Sequence, residues 1–255
     1  MNIGVVMKDV PDLVEDLEVE DSVLPLDDMS FVPSEWDDQA LEEALLLKEE
    51  ENAHITVVTI DTGDVDNMLF TALAKGADRA VKLVGDFTRE LSNRQRATLL
   101  AHYCQDQGFD LVLTGVQAID DLDGQIAGLT AGLMNVAHAS VVRDVHLSGN
   151  AVTCVQEYSG GKMAELELPT PAVLGVQAAR KPPRYVTIAK VRQIQKTVEL
   201  EEIEADSGAG DAPLVTIRRL YKPEASGHAE MWGDDVDEVA DKIVSLLEDK
   251  KLLRS

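Results

Sequence analysis

At 255 residues with 45% hydrophobic content, the chain is long enough for one large α/β domain with an appendage, or for two small domains, and reads as a soluble globular protein. Its 23 basic and 47 acidic residues give a formal net charge of −24, which repels polyanions and argues against a nucleic-acid or anionic-membrane binder. Adaptation to high salt remains open as a second explanation of that balance.

No apolar run reaches the roughly 18 residues of a membrane span, and the apolar start MNIGVVMKDVPD meets acid too early for a signal peptide. A cytoplasmic protein, or a mature organellar form, is therefore expected, with no direct membrane insertion. The two cysteines, Cys104 and Cys154, lie far apart, with no C-x-x-C and no histidine at ligand spacing. That is the usage of a reducing compartment, and both are expected as core thiols.

In chain order, Ile3 to Met7 reads as a buried strand. Ser34 is an N-cap candidate, and Asp37 three residues on suggests a capping box with Asp in place of Glu. Glu35 to Glu51 follows as a helix, with Leu41, Ala44, Leu45 and the stem of Lys48 at helical spacing. His54 to Ile60 is the next strand, and Val65 to Ala74 a helix that stops at Gly76. Arg79 to Val84 reads as a strand, Ser92 to Gln107 as a helix ending at Gly108, and Leu111 to Thr114 as the following strand. Strands separated by helices imply right-handed crossovers and a mostly parallel sheet flanked by helices.

The next stretch, Gly115 to Gly128, reads GVQAIDDLDGQIAG. A short aliphatic strand that empties into small residues, and then into a helix opening near Gln125, is how open α/β sheets build an anion site at the carboxyl ends of their strands. It points to a nucleotide phosphate. Asp120, Asp121 and Asp123 suit Mg²⁺ in principle, but three acids on a loop before a helix more often cap or orient it.

From His138 the texture becomes a β meander. Alternation in Ser140 to His146, Ala151 to Tyr158 and Met163 to Leu168, punctuated by Ser148-Gly149-Asn150 and Ser159-Gly160-Gly161, predicts two antiparallel hairpins that extend the same sheet. After the strand Ala172 to Val176 comes RKPPRYVTIAKVRQIQK, which carries Arg180, Lys181, Arg184, Lys190, Arg192 and Lys196 with no acid. This basic island is either a set of solvated residues flanking a buried strand or a docking surface for an acidic partner. Glu199 to Ala212 reads as an acidic linker. A final helix, about Asp234 to Asp249, places Val236, Val239, Ala240, Ile243, Leu246 and Leu247 on one face. That face needs cover, from the chain's own domain or from a partner. Residues 1–196 are thus expected as an α/β nucleotide-binding domain with a hairpin extension, and 197–255 as a linker and helix arm.

No G-x-S-x-G, P-loop, H-E-x-x-H or G-x-G-x-x-G is present, and the five histidines form no pair at metal spacing. Nothing reads as a catalytic set.

Several blocks taken together, VVMKDVPD, SEWDDQALEEALLLKE, TALAKGADRAVKL, DLVLTGVQAIDD, the Ser159-Gly160-Gly161 turn and PAVLGVQAARKPPRYVTIAKV, resemble the β subunit of electron transfer flavoprotein over roughly residues 1 to 195. The tail VTIRRLYKPEASGHAEMWG is similar to that of the bacterial branch serving trimethylamine-type dehydrogenases. The resemblance implies an adenine-nucleotide α-hydrolase-like fold whose C-terminal arm ends in a helix packed on a partner subunit. It further implies a heterodimer in which the α subunit carries most of an FAD site and this subunit an AMP. The flavin would take electrons from a donor dehydrogenase and pass them to a quinone reductase or another acceptor. Such a subunit is not itself an enzyme.

Residue by residue, the resemblance puts Val6 against the adenine, Ser34 where the family usually has Asn, and Ile60 and Asp61 at the nucleotide. Gly115, Gln117, Asp120, Asp121, Gly124, Gln125, Ile126 and Ala127 fall in the phosphate loop. Many relatives read Asn-Gln-Thr-Gly where this chain has Gly124-Gln125-Ile126-Ala127, which would leave phosphate binding to backbone N–H groups and a helix dipole. The pattern of members that bind a second FAD here is absent. Arg184, Tyr185, Ile188, Lys190 and Arg192 match a recognition loop that docks the dehydrogenase, with Ile188 as its aliphatic anchor. Glu157 matches an acid that steers the mobile flavin domain of the α subunit, and Leu13 replaces an aromatic near the flavin in some relatives. A stand-alone adenine-nucleotide sensor of the universal-stress type is the alternative reading.

Overall fold

The computed structural model describes residues 1–14, 19, 24–26, 29–89, 91–121, 124–205, 218–221, 227 and 229–253. They form two units, Met1–Arg219 and Leu220–Ser255. In the first, short aliphatic strands alternate with helices: β1 (Asn2–Val6), β2 (Asp9–Pro11), β3 (Phe31–Pro33), α1 (Glu35–Glu51), β4 (His54–Ile60), α2 (Asp66–Lys75), β5 (Arg79–Val84), α3 (Asn93–Gln107), β6 (Leu111–Gly115) and α4 (Ile126–Met134). The antiparallel part follows as β7 (Ala137–Ser148), β8 (Ala151–Tyr158) and β9 (Lys162–Pro169), then β10 (Ala172–Val176), α5 (Ile188–Thr197) and β11 (Glu201–Glu204). The second unit holds α6 (Val236–Asp249).

Nine strands make one sheet in the order β11-β5-β4-β1-β6-β10-β7-β8-β9. All neighbours from β11 to β7 pair in parallel, and β7, β8 and β9 pair antiparallel, so the hairpins continue the parallel sheet as expected. The central strands are buried on both faces, and their alternation divides the core. Ile3, Val5, Ile55 and Val57 pack under α1 and α2 with Leu41, Leu45 and Leu69. Val6, Val58 and Ile60 pack on the other face with Leu99, Leu100, Ala127 and Ala131 of α3 and α4. A sandwich of a parallel sheet between helices is what such two-faced apolar strands require.

Cys104 and Cys154 are both buried and free, and burial pushes the Cys104 thiol up to about 12. A thiol held protonated in apolar surroundings is an inert core group.

The structure departs from the sequence reading at several points. Ser34 does precede α1, but its side chain makes no cap hydrogen bond, because Asp37 turns away to the sheet. The capping box lies on α3 instead, where the Ser92 hydroxyl accepts from the Gln95 N–H and the Gln95 side chain accepts from the Ser92 N–H. Part of the expected acidic linker is a strand: β11 adds in parallel to β5, and the first unit therefore runs past residue 196 to Arg219. Residues 206–212 of that linker, and much of 215–233, lie outside the described residues. The recognition segment is partly helical, since α5 begins at Ile188 with Thr187 as a capping acceptor for the Lys190 N–H. The pair β2 and β3, which forms a separate two-stranded antiparallel sheet, has no counterpart in the sequence reading.

Candidate functional site

From β1 the chain proceeds to β4 and β5 on one side, then crosses to β6 on the other. The carboxyl ends of β1 and β6 are therefore the switch point of the sheet, where open α/β folds form a crevice. A cleft open to solvent lies there, lined among others by Val6, Ile60, Gly115, Gln117, Asp121 and Ile126. These six come from the end of β1, the end of β4, the loop after β6 and the start of α4.

The floor is held by a carboxylate. Asp37, in the first turn of α1 and buried, accepts from the Lys8 N–H at 3.0 Å and the Gly115 N–H at 2.8 Å, which ties the ends of β1 and β6 together. Burial pushes its carboxyl up to about 7, against the two N–H donors and Lys8. Gly115 is required for that approach, because a Cβ there would stand 2.6 Å from the Asp37 carboxylate. Gly124 has φ +57°, and a Cβ on it would lie 2.5 Å from the Val116 carbonyl, so only glycine closes the loop back onto β6.

Two cations line the cleft that the sequence reading did not single out. Lys8 reaches across the mouth to Asp120 at 2.6 Å and to Asp121 at 3.8 Å. Arg96, on α3 and buried, donates to the carbonyls of Leu91 and Arg89 at 3.1 and 3.0 Å. Burial lowers its pKa, and Asp120, Asp121 and Asp9 oppose that. A buried guanidinium facing an open crevice suits an anionic ligand. Its only trace in the sequence is one arginine on a helix read as a core element.

The other expected residues take different positions. Ser34 is buried, and its hydroxyl has no hydrogen-bond partner. Asp61 follows β4, accepts from the Gly63 N–H and stands 3.7 Å from Lys82. Asp120 serves Lys8, and Asp121 accepts from the Ala118 N–H at 3.0 Å, so the acids shape the loop before α4. Asp123 lies outside the described residues, and among the described ones no group of three His, Cys, Asp or Glu is placed to hold a metal. Gln125 precedes α4, while the Ala127 side chain is packed in the core. Leu13 is exposed beyond β2. Glu157 is half exposed, 3.4 Å from Arg143.

In the basic island, Ile188 is 66% exposed and Tyr185 83%, with Lys190 and Arg192 also at the surface. Arg184 is different. It is committed to Glu42 and Glu49 of α1, so it is no free docking cation.

A parallel sheet flanked by helices on both faces, with a crevice at its switch point, small residues at the strand ends and a buried arginine beside them, places the chain among the open α/β proteins. Residues 27–207 match the model of the electron transfer flavoprotein domain. The chain is similar to the electron transfer flavoprotein subunit beta of Methylophilus methylotrophus, 32% identical with 98% of this chain and 99% of that one covered. It is also similar to that of Bacillus subtilis, 29% identical with 97% of each covered, and to that of Mus musculus, 32% identical over 72% of this chain and 73% of that one. The chain belongs to the electron transfer flavoprotein beta-subunit family.

Proposed function

We propose that this chain is the β subunit of a heterodimeric electron transfer flavoprotein, that it holds AMP in the crevice between β1 and β6, and that it docks a donor dehydrogenase through α5. The observation that carries the nucleotide reading is the crevice itself, with Val6 and Ile60 as apolar walls, the N-terminus of α4 at its edge and Arg96 buried alongside. Apolar walls suit an adenine by their chemistry, and a helix N-terminus with cations nearby suits a phosphate. The FAD, mainly in the α subunit, supplies the redox chemistry by accepting electrons and passing them on. This chain's own residues bind, orient and dock, and it is a carrier subunit rather than a catalyst.

The exposed Ile188 supports the docking reading, since an aliphatic side chain at the start of a cationic helix is the kind of central anchor that dominates a small interface. The amphipathic α6 supports packing of the C-terminal arm on the α subunit, and Glu157 the steering of the flavin domain. No helix among the described residues is long and apolar enough to cross a membrane.

Mass spectrometry of the nucleotide released from the co-purified complex tests the assignment. AMP in the β subunit is the expected result, together with a larger, yellow partner. A second FAD in the crevice, or a colourless homodimer that binds ATP, would overturn it. Ile188→Ala is expected to slow electron acceptance with nucleotide content unchanged; loss of nucleotide with docking retained would move the docking site elsewhere.

A further inference from the structure

The strap that leads from β10 to α5, residues 177–187, forms neither helix nor strand, and its arginines point inward onto α1. Arg184 donates from Nε and Nη2 to Glu42 at 2.8 to 3.1 Å, and from Nη1 to Glu49 at 2.8 Å. Arg180 repeats the arrangement one residue along the helix, from Nε to Glu43 at 2.7 Å and from Nη1 to Glu50 at 2.7 Å. Glu42 and Glu49, like Glu43 and Glu50, are two helical turns apart, so each guanidinium spans two turns of one face of α1. The backbone follows the same face: the N–H groups of Ala179, Arg180 and Arg184 donate to Gln39, Glu43 and Glu42 at 2.9, 2.8 and 2.9 Å. Pro182 and Pro183 between them have no N–H to satisfy.

The helix that follows lies on α2, where Gln195 reaches Asn67 at 3.5 Å, and its far end leads into β11 on the sheet. Val191 is the one buried residue of α5. Only three residues separate Arg184 from the exposed Ile188, too short a span to absorb a displaced strap.

We propose that Arg184 is a positioning residue for the docking surface: its fork onto Glu42 and Glu49, backed by Arg180 on Glu43 and Glu50, fixes α5 on the molecule and thereby sets where Ile188 stands. The functional consequence rests on the docking reading of Ile188. Lysine cannot replace the arginine, because a point charge cannot engage two carboxylates two turns apart with the same geometry.

The test combines hydrogen–deuterium exchange over residues 185–197 with steady-state reduction of the heterodimer by a purified dehydrogenase that reduces the wild type. Arg184→Met is expected to raise exchange in 185–197 by about tenfold or more and to raise KM for the dehydrogenase, with kcat within about twofold and exchange in the central strands unchanged. Arg184→Lys should recover only part of either effect. Glu49→Gln removes the outer half of the fork at an exposed position, leaves folding intact and should give a smaller change of the same sign. Ile188→Ala should raise KM without changing exchange. Wild-type exchange in both Arg184→Met and Glu49→Gln would overturn the proposal. Raised exchange in Arg184→Met, with KM unchanged in Ile188→Ala, would uphold the clamp and remove the docking reading instead.

Discussion

Asp37 shows how much one side chain can decide. Its carboxylate is the only side chain bonded to both the Lys8 and Gly115 N–H groups among the described residues, and it sits in the core with its pKa pushed up to about 7 by burial. A carboxyl whose folded pKa exceeds its unfolded one binds an extra proton in the folded state between the two values. Its contribution to stability is therefore fully present below about pH 4 and is lost as pH rises through about 7, by an amount on the order of 4 kcal/mol. Asp37→Asn removes the titration and keeps one acceptor. Urea unfolding from about pH 4 to 8 should show the stability difference between variant and wild type shifting in the variant's favour by roughly 2–4 kcal/mol as pH rises. Parallel curves would show that Asp37 is ionised throughout. Nothing in the sequence marks Asp37, rather than Ser34, as the residue that makes the bonds at this helix start, because a cap and a cross-sheet tether use the same residue types.

At the scale of elements, α1 works on two fronts. Its first turn holds the crevice through Asp37, while Gln39, Glu42, Glu43, Glu49 and Glu50 receive the strap that leads to α5. Glu43 is fully buried and also accepts from the Val145 N–H at 3.2 Å, so Arg180 neutralises a charge with no access to water. Arg180→Met should cost about 3–5 kcal/mol by leaving that carboxylate uncompensated, and Arg180→Met with Glu43→Gln should recover most of it, as read by denaturant unfolding. A single-mutant loss below about 1 kcal/mol would place Glu43 in its protonated form. The periodic apolar pattern made α1, α3 and the central strands legible in the sequence. It could not reveal the strap, because an acid on a helix and an arginine far downstream in the chain carry no mark of their pairing. The same holds for β11, where Glu201 and Glu202 meet Arg79 and Lys82 of β5 at 2.6 and 3.0 Å. Read alone, Glu201 and Glu202 look like part of a solvated acidic run.

For the whole molecule, the net charge of −24 and the placement of the remaining cations make a directed surface. With Arg180 and Arg184 absorbed by α1, the exposed positive charge of the island is Lys181, Lys190, Arg192 and Lys196, on either side of Ile188 along the chain of an otherwise acidic protein. If that patch docks an acidic dehydrogenase as proposed, its steering should weaken with salt, so the apparent on-rate of the dehydrogenase should fall as ionic strength rises, with less change in the off-rate. The C-terminal arm poses a different question. None of the residues of α6 is buried, and Val236, Ile243, Val244 and Leu246 are all exposed. An amphipathic helix whose apolar face stays in water gains little from forming, whereas the same face against a second chain buries it. Asp235 caps the helix through the N–H groups of Asp237 and Glu238, so its start is defined without help from packing. Ile243→Asp should therefore leave the thermal unfolding of the isolated chain unchanged while weakening association with the α subunit by about a hundredfold, as measured by analytical ultracentrifugation of the co-expressed pair. An unchanged heterodimer would mean that the arm is covered in some other way. A fall in the melting temperature of the isolated chain would place that cover within this subunit.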